Sequence, residues 1–315
     1  MSDIEIMAMP HLQPVLLEPL QAAYVVHPHP NETDPGNFSK AAPRIRAIAA
    51  TGESRISAEL LRQLPALEII SVMGVGYDGV DMAAARARGV AVTHTPGVLN
   101  DDVADLAMAL MLAWARQVPQ ADRFVRAGQW PAGPMPLGRR VSGARLGIVG
   151  MGRIGQAIAQ RASAFGMRIA YTARSAKADL PHPYLPTAAA LAAQSDFLVV
   201  ITPGGAGTRK LIDAEVLAAL GPQGCLVNVA RGSVIDEAAL IAALAAGTIA
   251  GAALDVFENE PNVPLALREM DNVVLTPHIG SATQETRRAM AELALANLKA
   301  HFAGNALPSP VQPYP

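Results

Sequence analysis

The chain has 315 residues, 51% hydrophobic and 17% charged, which is about two domains with ample core-forming side chains and excludes intrinsic disorder. A formal charge of −2 leaves no basic field for nucleic acid, and the single cysteine, Cys225, excludes a disulfide framework and a cysteine-rich metal site. The N-terminus lacks the basic flank and apolar run of a signal peptide. The apolar stretch 104–115 is too short for a bilayer and contains Asp105, so a soluble cytoplasmic protein without a membrane partner is expected.

Short β-branched runs alternate with Ala-rich helical patterns along the chain. The first third predicts strands at 4–9, 45–50, 67–72 and 91–94 and a helix at 80–88, with a Pro-rich loop at 27–43. A helical pattern at 101–116 follows, then a Pro/Gly-rich excursion at 128–143. Beyond it, strands are predicted at 145–149, 168–172, 197–201, 225–229, 252–254 and 273–275. The intervening helices are predicted at 154–165, 214–220, 237–246 and 283–302. A Pro-rich cluster occupies 180–186, and the tail 307–315, with four prolines, reads as an extended surface strap. Repeated strand–helix–strand succession argues for parallel sheets flanked by helices. The strands lack period-2 alternation, as expected when both faces are buried.

The run Gly150-Met-Gly-Arg-Ile-Gly155 follows an apolar strand and opens a helix. In that setting the first glycine permits the tight turn and the second admits a pyrophosphate. The third lets helix and strand pack closely, while free N–H groups at the helix start meet the anion. Gly150, Gly152, Arg153, Ile154 and Gly155 are therefore candidate dinucleotide contacts. The alternative is a merely structural turn.

After the next strand, an NAD-preferring site places a carboxylate that binds the ribose 2′-hydroxyl. Here the chain reads Ala173-Arg-Ser-Ala-Lys177. Arg174, Ser175 and Lys177 would hold a 2′-phosphate where a carboxylate would repel it, so NADP(H) is favoured. Otherwise these are solvated surface charges. A dinucleotide fold beginning near residue 144 leaves an α/β unit upstream, and the last helix could return to it. The expected domains are 1–99 with 284–315, and 100–283.

Arg231 ends one strand, Glu260 lies in Asp255-Val-Phe-Glu-Asn-Glu-Pro261, and His278 follows another strand in Thr276-Pro-His-Ile-Gly-Ser281. Strand ends in open α/β sheets are where ligands collect. Singly, each residue could be a surface charge, a turn carboxylate or a loop histidine. Together with Met73-Gly-Val-Gly-Tyr-Asp78, His94-Thr-Pro-Gly-Val-Leu-Asn100, the glycine loop and Val229-Ala-Arg-Gly-Ser233, they form an ordered set. The set resembles the D-isomer-specific 2-hydroxyacid dehydrogenases, and within them the glyoxylate/hydroxypyruvate reductases, over nearly the whole chain.

The resemblance implies two Rossmann-like α/β domains with a cleft between them, a homodimer, and reduction of a small 2-oxo acid to a 2-hydroxy acid without a metal. It implies that His278 is the general acid and base, that Glu260 holds its imidazole protonated, and that Arg231 binds the substrate carboxylate. Val75 and Gly76 would offer backbone N–H groups to the same carboxylate. Thr202 and Pro203 would border the adenosine side of the cofactor, and Val229, Ala230 and Asp255 the nicotinamide. Val103 would approach the cofactor's phosphate–ribose region or simply pack its helix. Trp130 would belong to a dimer or substrate-pocket loop, or anchor its own subunit. The phosphoglycerate dehydrogenase branch carries a further regulatory domain, for which room is not expected here. Bulkier acids such as hydroxyphenylpyruvate stay open as substrates, and a dinucleotide-sensing corepressor-like role is the non-enzymatic alternative. Formate dehydrogenases typically carry Gln where Glu260 stands.

Overall fold

The computed structural model describes residues 3–29 and 35–311. These divide into two compact units, one running to Leu99 and resuming at Thr283, the other Asn100–Ala282.

In the first unit, β1 (Glu5–Ala8), β2 (Val25–Pro28), β3 (Ile45–Thr51), β4 (Ile69–Met73) and β5 (Ala91–Thr93) form one sheet ordered β2-β1-β3-β4-β5. Every pairing is parallel. β4 is buried along its whole length and β3 nearly so, which explains why both are mostly apolar and lack period-2 alternation. The helix Gln284–Phe302 packs on β4 and on the helix Pro14–Ala23. Buried Ser71 of β4 donates to the Ala294 carbonyl at 2.9 Å, so that packing is also hydrogen-bonded.

The structure departs here from the sequence expectation. The segment 27–43 is not a continuous loop. His27 and Pro28 end β2, and Pro35–Ala41 is helical, with its proline at the first position where no N–H is needed; residues 30–34 lie outside the described residues. The helix Pro14–Ala23 likewise begins on a proline and tolerates Pro19 inside it, while Leu16 and Leu20 bury its inner face. Residues 307–311 run along β5. Pro310 bridges to Thr93, Val311 N–H donates to the Val92 carbonyl at 2.8 Å, and 312–315 lie outside the described residues.

In the second unit, β6 (Arg145–Val149), β7 (Arg168–Thr172), β8 (Phe197–Val200), β9 (Cys225–Asn228), β10 (Gly251–Leu254) and β11 (Val273–Leu275) form a parallel sheet ordered β7-β6-β8-β9-β10-β11. The chain steps from β6 to β7 and then crosses back to β8. The ends of β6 and β8 are thus a topological switch point, where ligands bind in open α/β sheets. β8, β9 and β10 are wholly buried. Cys225 opens β9 with its side chain fully enclosed, and that burial pushes the thiol well up from its ordinary value. Helices start on side-chain caps: Thr187, Asp213 and Asp236 accept from Ala190, Val216 and Ala239 N–H, each worth about 1 kcal/mol.

Helices not foreseen here are Val118–Arg126, which has no buried residue, and the five-residue Ala188–Ala192 and Leu265–Glu269. The excursion 128–143 is mostly exposed, with one 3-10 turn at Trp130–Ala132. Trp130 is 67% exposed, so it does not anchor its own subunit. Both units are α/β with parallel sheets flanked by helices, as expected. Among the described residues, no helix is long and apolar enough to cross a membrane.

Candidate active site

The three loop glycines between β6 and the helix Arg153–Ala164 have different surroundings. Gly150 has φ +106°, and a Cβ there would lie 2.7 Å from the Ile201 carbonyl oxygen, so the turn against β8 requires glycine. A Cβ on Gly155 would meet the Gly150 oxygen, which lets the helix's first turn close onto the loop. At Gly152, the residue capping the helix, a Cβ would meet nothing within 4 Å. Arg153 is exposed and Ile154 half-buried at the helix start, where unpaired N–H groups favour an anion.

β7 ends at buried Thr172. Ala173 is half-buried, Arg174 and Ser175 are exposed, and Lys177 is half-buried, with its N–H donated to the Tyr171 hydroxyl at 2.7 Å. The first carboxylate after β7 is the exposed Asp179. Past β8, Thr202 is half-buried and Pro203 exposed, and the Pro203 carbonyl accepts from Thr208 Oγ1 at 2.6 Å.

Three loops after β9, β10 and β11 carry the remaining chemistry of this unit. At the end of β9, wholly buried Asn228 accepts the Ala230 N–H at 3.0 Å through Oδ1 and donates Nδ2 to the Arg231 carbonyl at 3.1 Å. Its own carbonyl accepts the Asp255 N–H at 2.9 Å. Val229 and Ala230 are buried beside it. A Cβ on Gly232 would fall 1.9 Å from the Phe257 carbonyl carbon, so the Arg231 segment rests directly on the backbone leading to Glu260.

Asp255, 1% exposed, is tied to the loop after β11. Oδ1 accepts from Thr276 Oγ1 at 2.6 Å and Ile279 N–H at 2.8 Å, and Oδ2 accepts the Gly280 N–H at 2.9 Å. Between those anchors His278 takes φ +53°, a left-handed conformation unusual outside glycine, and its N–H donates to the Asp255 and Thr276 carbonyls. His278 Nδ1 lies 2.7 Å from Glu260 Oε2, while Glu260 Oε1 accepts the Phe257 N–H at 2.9 Å.

The two carboxyls answer differently to burial. For Glu260, burial pushes upward, but the His278 hydrogen bond and charge, the Phe257 N–H and the Arg231 charge outweigh it, leaving the carboxyl below its ordinary range. For Asp255, burial wins over the Thr276, Ile279 and Gly280 hydrogen bonds and the His278 charge, and its carboxyl lies above the ordinary range. The result is an imidazole with one nitrogen bound to an ionised carboxylate, in the electrostatic field of a guanidinium. That is the arrangement of a proton donor beside an anion site.

Arg231, Glu260, His278 and Asp255 thus come together after β9–β11, whereas Arg174, Ser175 and Lys177 stand after β7, across β6. Val103 is buried on the helix Asn100–Ala115; a Cβ on Gly280 would lie 3.5 Å from its Cγ2, so it packs on that backbone. In the first unit, half-buried Val75 and Gly76 lie in the turn after β4. Gly232 and Thr276 stand inside motifs of the sequence without an assigned role there, and Asn228 immediately precedes one. Nothing local in the sequence pointed to them, because their contacts lie across turns or between strands.

The family profile described as D-isomer specific 2-hydroxyacid dehydrogenase, NAD binding domain, matches residues 108–280. The chain is 48% identical over 267 residues to glyoxylate/hydroxypyruvate reductase A of Arabidopsis thaliana, covering 85% of each chain. It is 45% identical to the 2-ketogluconate reductase of Gluconobacter oxydans, over 98% of this chain and 99% of that one. Its structure resembles that of an NADPH-dependent glyoxylate/hydroxypyruvate reductase from Sinorhizobium meliloti solved with NADP and malonate. The TM-score is 0.92 at 44% identity, covering 98% and 97% of the two chains. On this evidence the chain belongs to the D-isomer specific 2-hydroxyacid dehydrogenases.

Proposed function

We propose that the protein reduces small 2-oxo acids, glyoxylate and hydroxypyruvate, with NADPH to 2-hydroxy acids, of D configuration where the product is chiral. The observation that carries this reading is the 2.7 Å pair of His278 and Glu260, in the same unit as the glycine loop. The likeness to reductases named for these acids supports it.

The residues fit the cofactor. The open side of Gly152 is a cradle that a side chain would fill, and the helix start beside it suits a pyrophosphate. Arg174, Ser175 and Lys177 follow β7 with no carboxylate before Asp179, a set that suits a 2′-phosphate. Thr202 and Pro203 would border the adenosine, and Val229, Ala230 and Asp255 the nicotinamide. Val103 serves through its packing against Gly280. The first unit then acts as the substrate domain and the second as the NADP(H) domain, the division falling one residue before the expected 283/284 boundary.

Bound NADPH supplies the hydride, from C4 of its nicotinamide. His278 holds its proton at Nε2 and gives it to the carbonyl oxygen of the substrate, while Glu260 at Nδ1 fixes the ring and balances its charge. Arg231 binds the substrate carboxylate and draws electron density from the adjacent carbonyl. Val75 and Gly76 offer backbone N–H groups to that carboxylate. A homodimer in the cytoplasm belongs to the same reading. The likeness to a 2-ketogluconate reductase favours a second reading, in which a bulkier 2-oxo acid is the substrate.

The test is loss of reduced-nicotinamide absorbance with NADPH or NADH against glyoxylate, hydroxypyruvate, pyruvate, 2-ketogluconate and hydroxyphenylpyruvate. The highest kcat/KM should fall on NADPH with glyoxylate or hydroxypyruvate. A higher value on 2-ketogluconate or hydroxyphenylpyruvate selects the second reading. Tight NADPH binding without turnover of any acid rejects both.

A further inference from the structure

We propose that His94 is a positioning residue that aims the Gly76 N–H; the proposal rests on the reading of Val75 and Gly76 as carboxylate donors. His94 Nδ1 lies 3.0 Å from the Val75 carbonyl oxygen. A carbonyl only accepts, so Nδ1 carries the proton and donates it. One residue earlier the Gly74 carbonyl accepts the Thr95 N–H at 2.8 Å. Both peptides are trans, since the cis bond among the described residues is Glu260–Pro261. In a trans peptide the carbonyl and the following N–H point in opposite directions. With the Gly74 and Val75 carbonyls drawn onto residues 94–95, the N–H groups of Val75 and Gly76 face the other way, side by side.

His94 is itself braced. Its ring meets Tyr77 edge-on, with centroids 5.5 Å apart. Its N–H donates to the Ser309 carbonyl at 3.2 Å, and its carbonyl accepts from Ser309 Oγ at 2.6 Å. Wholly buried Asn297 then fixes Ser309, accepting its N–H at 3.0 Å and donating to Oγ at 2.8 Å. The strap 307–311 therefore holds the main chain of the residue whose side chain orients the turn. A histidine that merely satisfied a loop carbonyl would contribute to stability alone; one that aims an N–H contributes to substrate affinity.

The variants H94A and H94N separate the two, because the Asn amide nitrogen takes the place of Nδ1 and keeps the donor. H94A should raise the KM for glyoxylate about tenfold, the usual worth of one hydrogen bond to a charged group, and leave the KM for NADPH within about twofold. H94N should restore most of the loss. An unchanged glyoxylate KM in folded H94A overturns the proposal, as does an H94N enzyme as impaired as H94A. If H94A does not fold, H94L keeps the volume without the donor and is read in the same way. The underlying reading is tested in the unaltered enzyme: with NADP⁺ present, oxamate should shift the amide resonances of Val75 and Gly76. Amides that stay put reject the carboxylate reading itself, whatever the His94 variants do.

Discussion

A Cβ placed on Gly155 would lie 2.1 Å from the carbonyl oxygen of Gly150, so these two residues close the phosphate loop upon itself. Gly152, between them, would place a Cβ in open space. One chemical change at two positions should therefore give two different results. G155A should lower the thermal midpoint, at a cost of about 1–3 kcal/mol from overpacking. G152A should melt like the parent but raise the KM for NADPH at least about tenfold, since its backbone conformation suits alanine and only the anion's approach is obstructed. Melting curves of the cofactor-free proteins and steady-state kinetics check both.

The His278–Glu260 pair predicts a pH effect of definite sign. A carboxylate beside an imidazole favours its protonated form, and reduction needs that form. E260Q should therefore move the alkaline limb of kcat/KM for reduction to lower pH and slow reduction most on the alkaline side. Stability follows the carboxylate itself. Because the folded Glu260 binds its proton more weakly than the unfolded one, its contribution is full above the ordinary value of 4.5 and is lost as pH falls through the lowered value. The difference in melting temperature between parent and E260Q should narrow on acidification below that point.

His278 sits at φ +53°, and asparagine is among the few residues that enter this region readily. H278N should accordingly keep the turn and lose only the proton donor. A fall in kcat of about 10³-fold, within the range for general acid catalysis, is expected, with NADPH affinity measured by fluorescence changed less than about twofold. Substantial turnover by this variant would reject His278 as the donor.

Cofactor choice rests on the segment after β7. R174A combined with K177A should raise the KM for NADPH by about tenfold or more and leave that for NADH nearly unchanged, because only the former carries the 2′-phosphate. Equal effects on both would assign discrimination to another part of the chain.

Much of this could be read from the sequence where a single physical demand dominates. β6, β7 and β11 and the helix Ala214–Leu220 fall at the expected residues, since each is a short, mostly apolar run between clear turn or cap residues. The glycine loop is legible because each glycine meets a separate steric requirement. β2 was not, as none of its residues is fully buried, so no apolar run marks it. The helix Val118–Arg126 buries nothing, and the five-residue helices are too short to establish a period. At the site, Glu260 and His278 were visible as residue types in their motifs. The bonds from Asp255 to Thr276, Ile279 and Gly280 span more than twenty residues between adjacent strand ends, and no local pattern encodes them.

The single cysteine gives the second unit an internal reporter. Cys225 begins β9, between β8 and β10, with no exposed surface and a thiol held in its protonated form. A thiol reagent can reach it only when the sheet opens, so its rate of alkylation under native conditions records the frequency of that opening. Each ligand that binds the closed form should slow the labelling in proportion to its occupancy. Affinities for cofactors and for acids that are never turned over can thus be compared on one scale, without a catalytic assay.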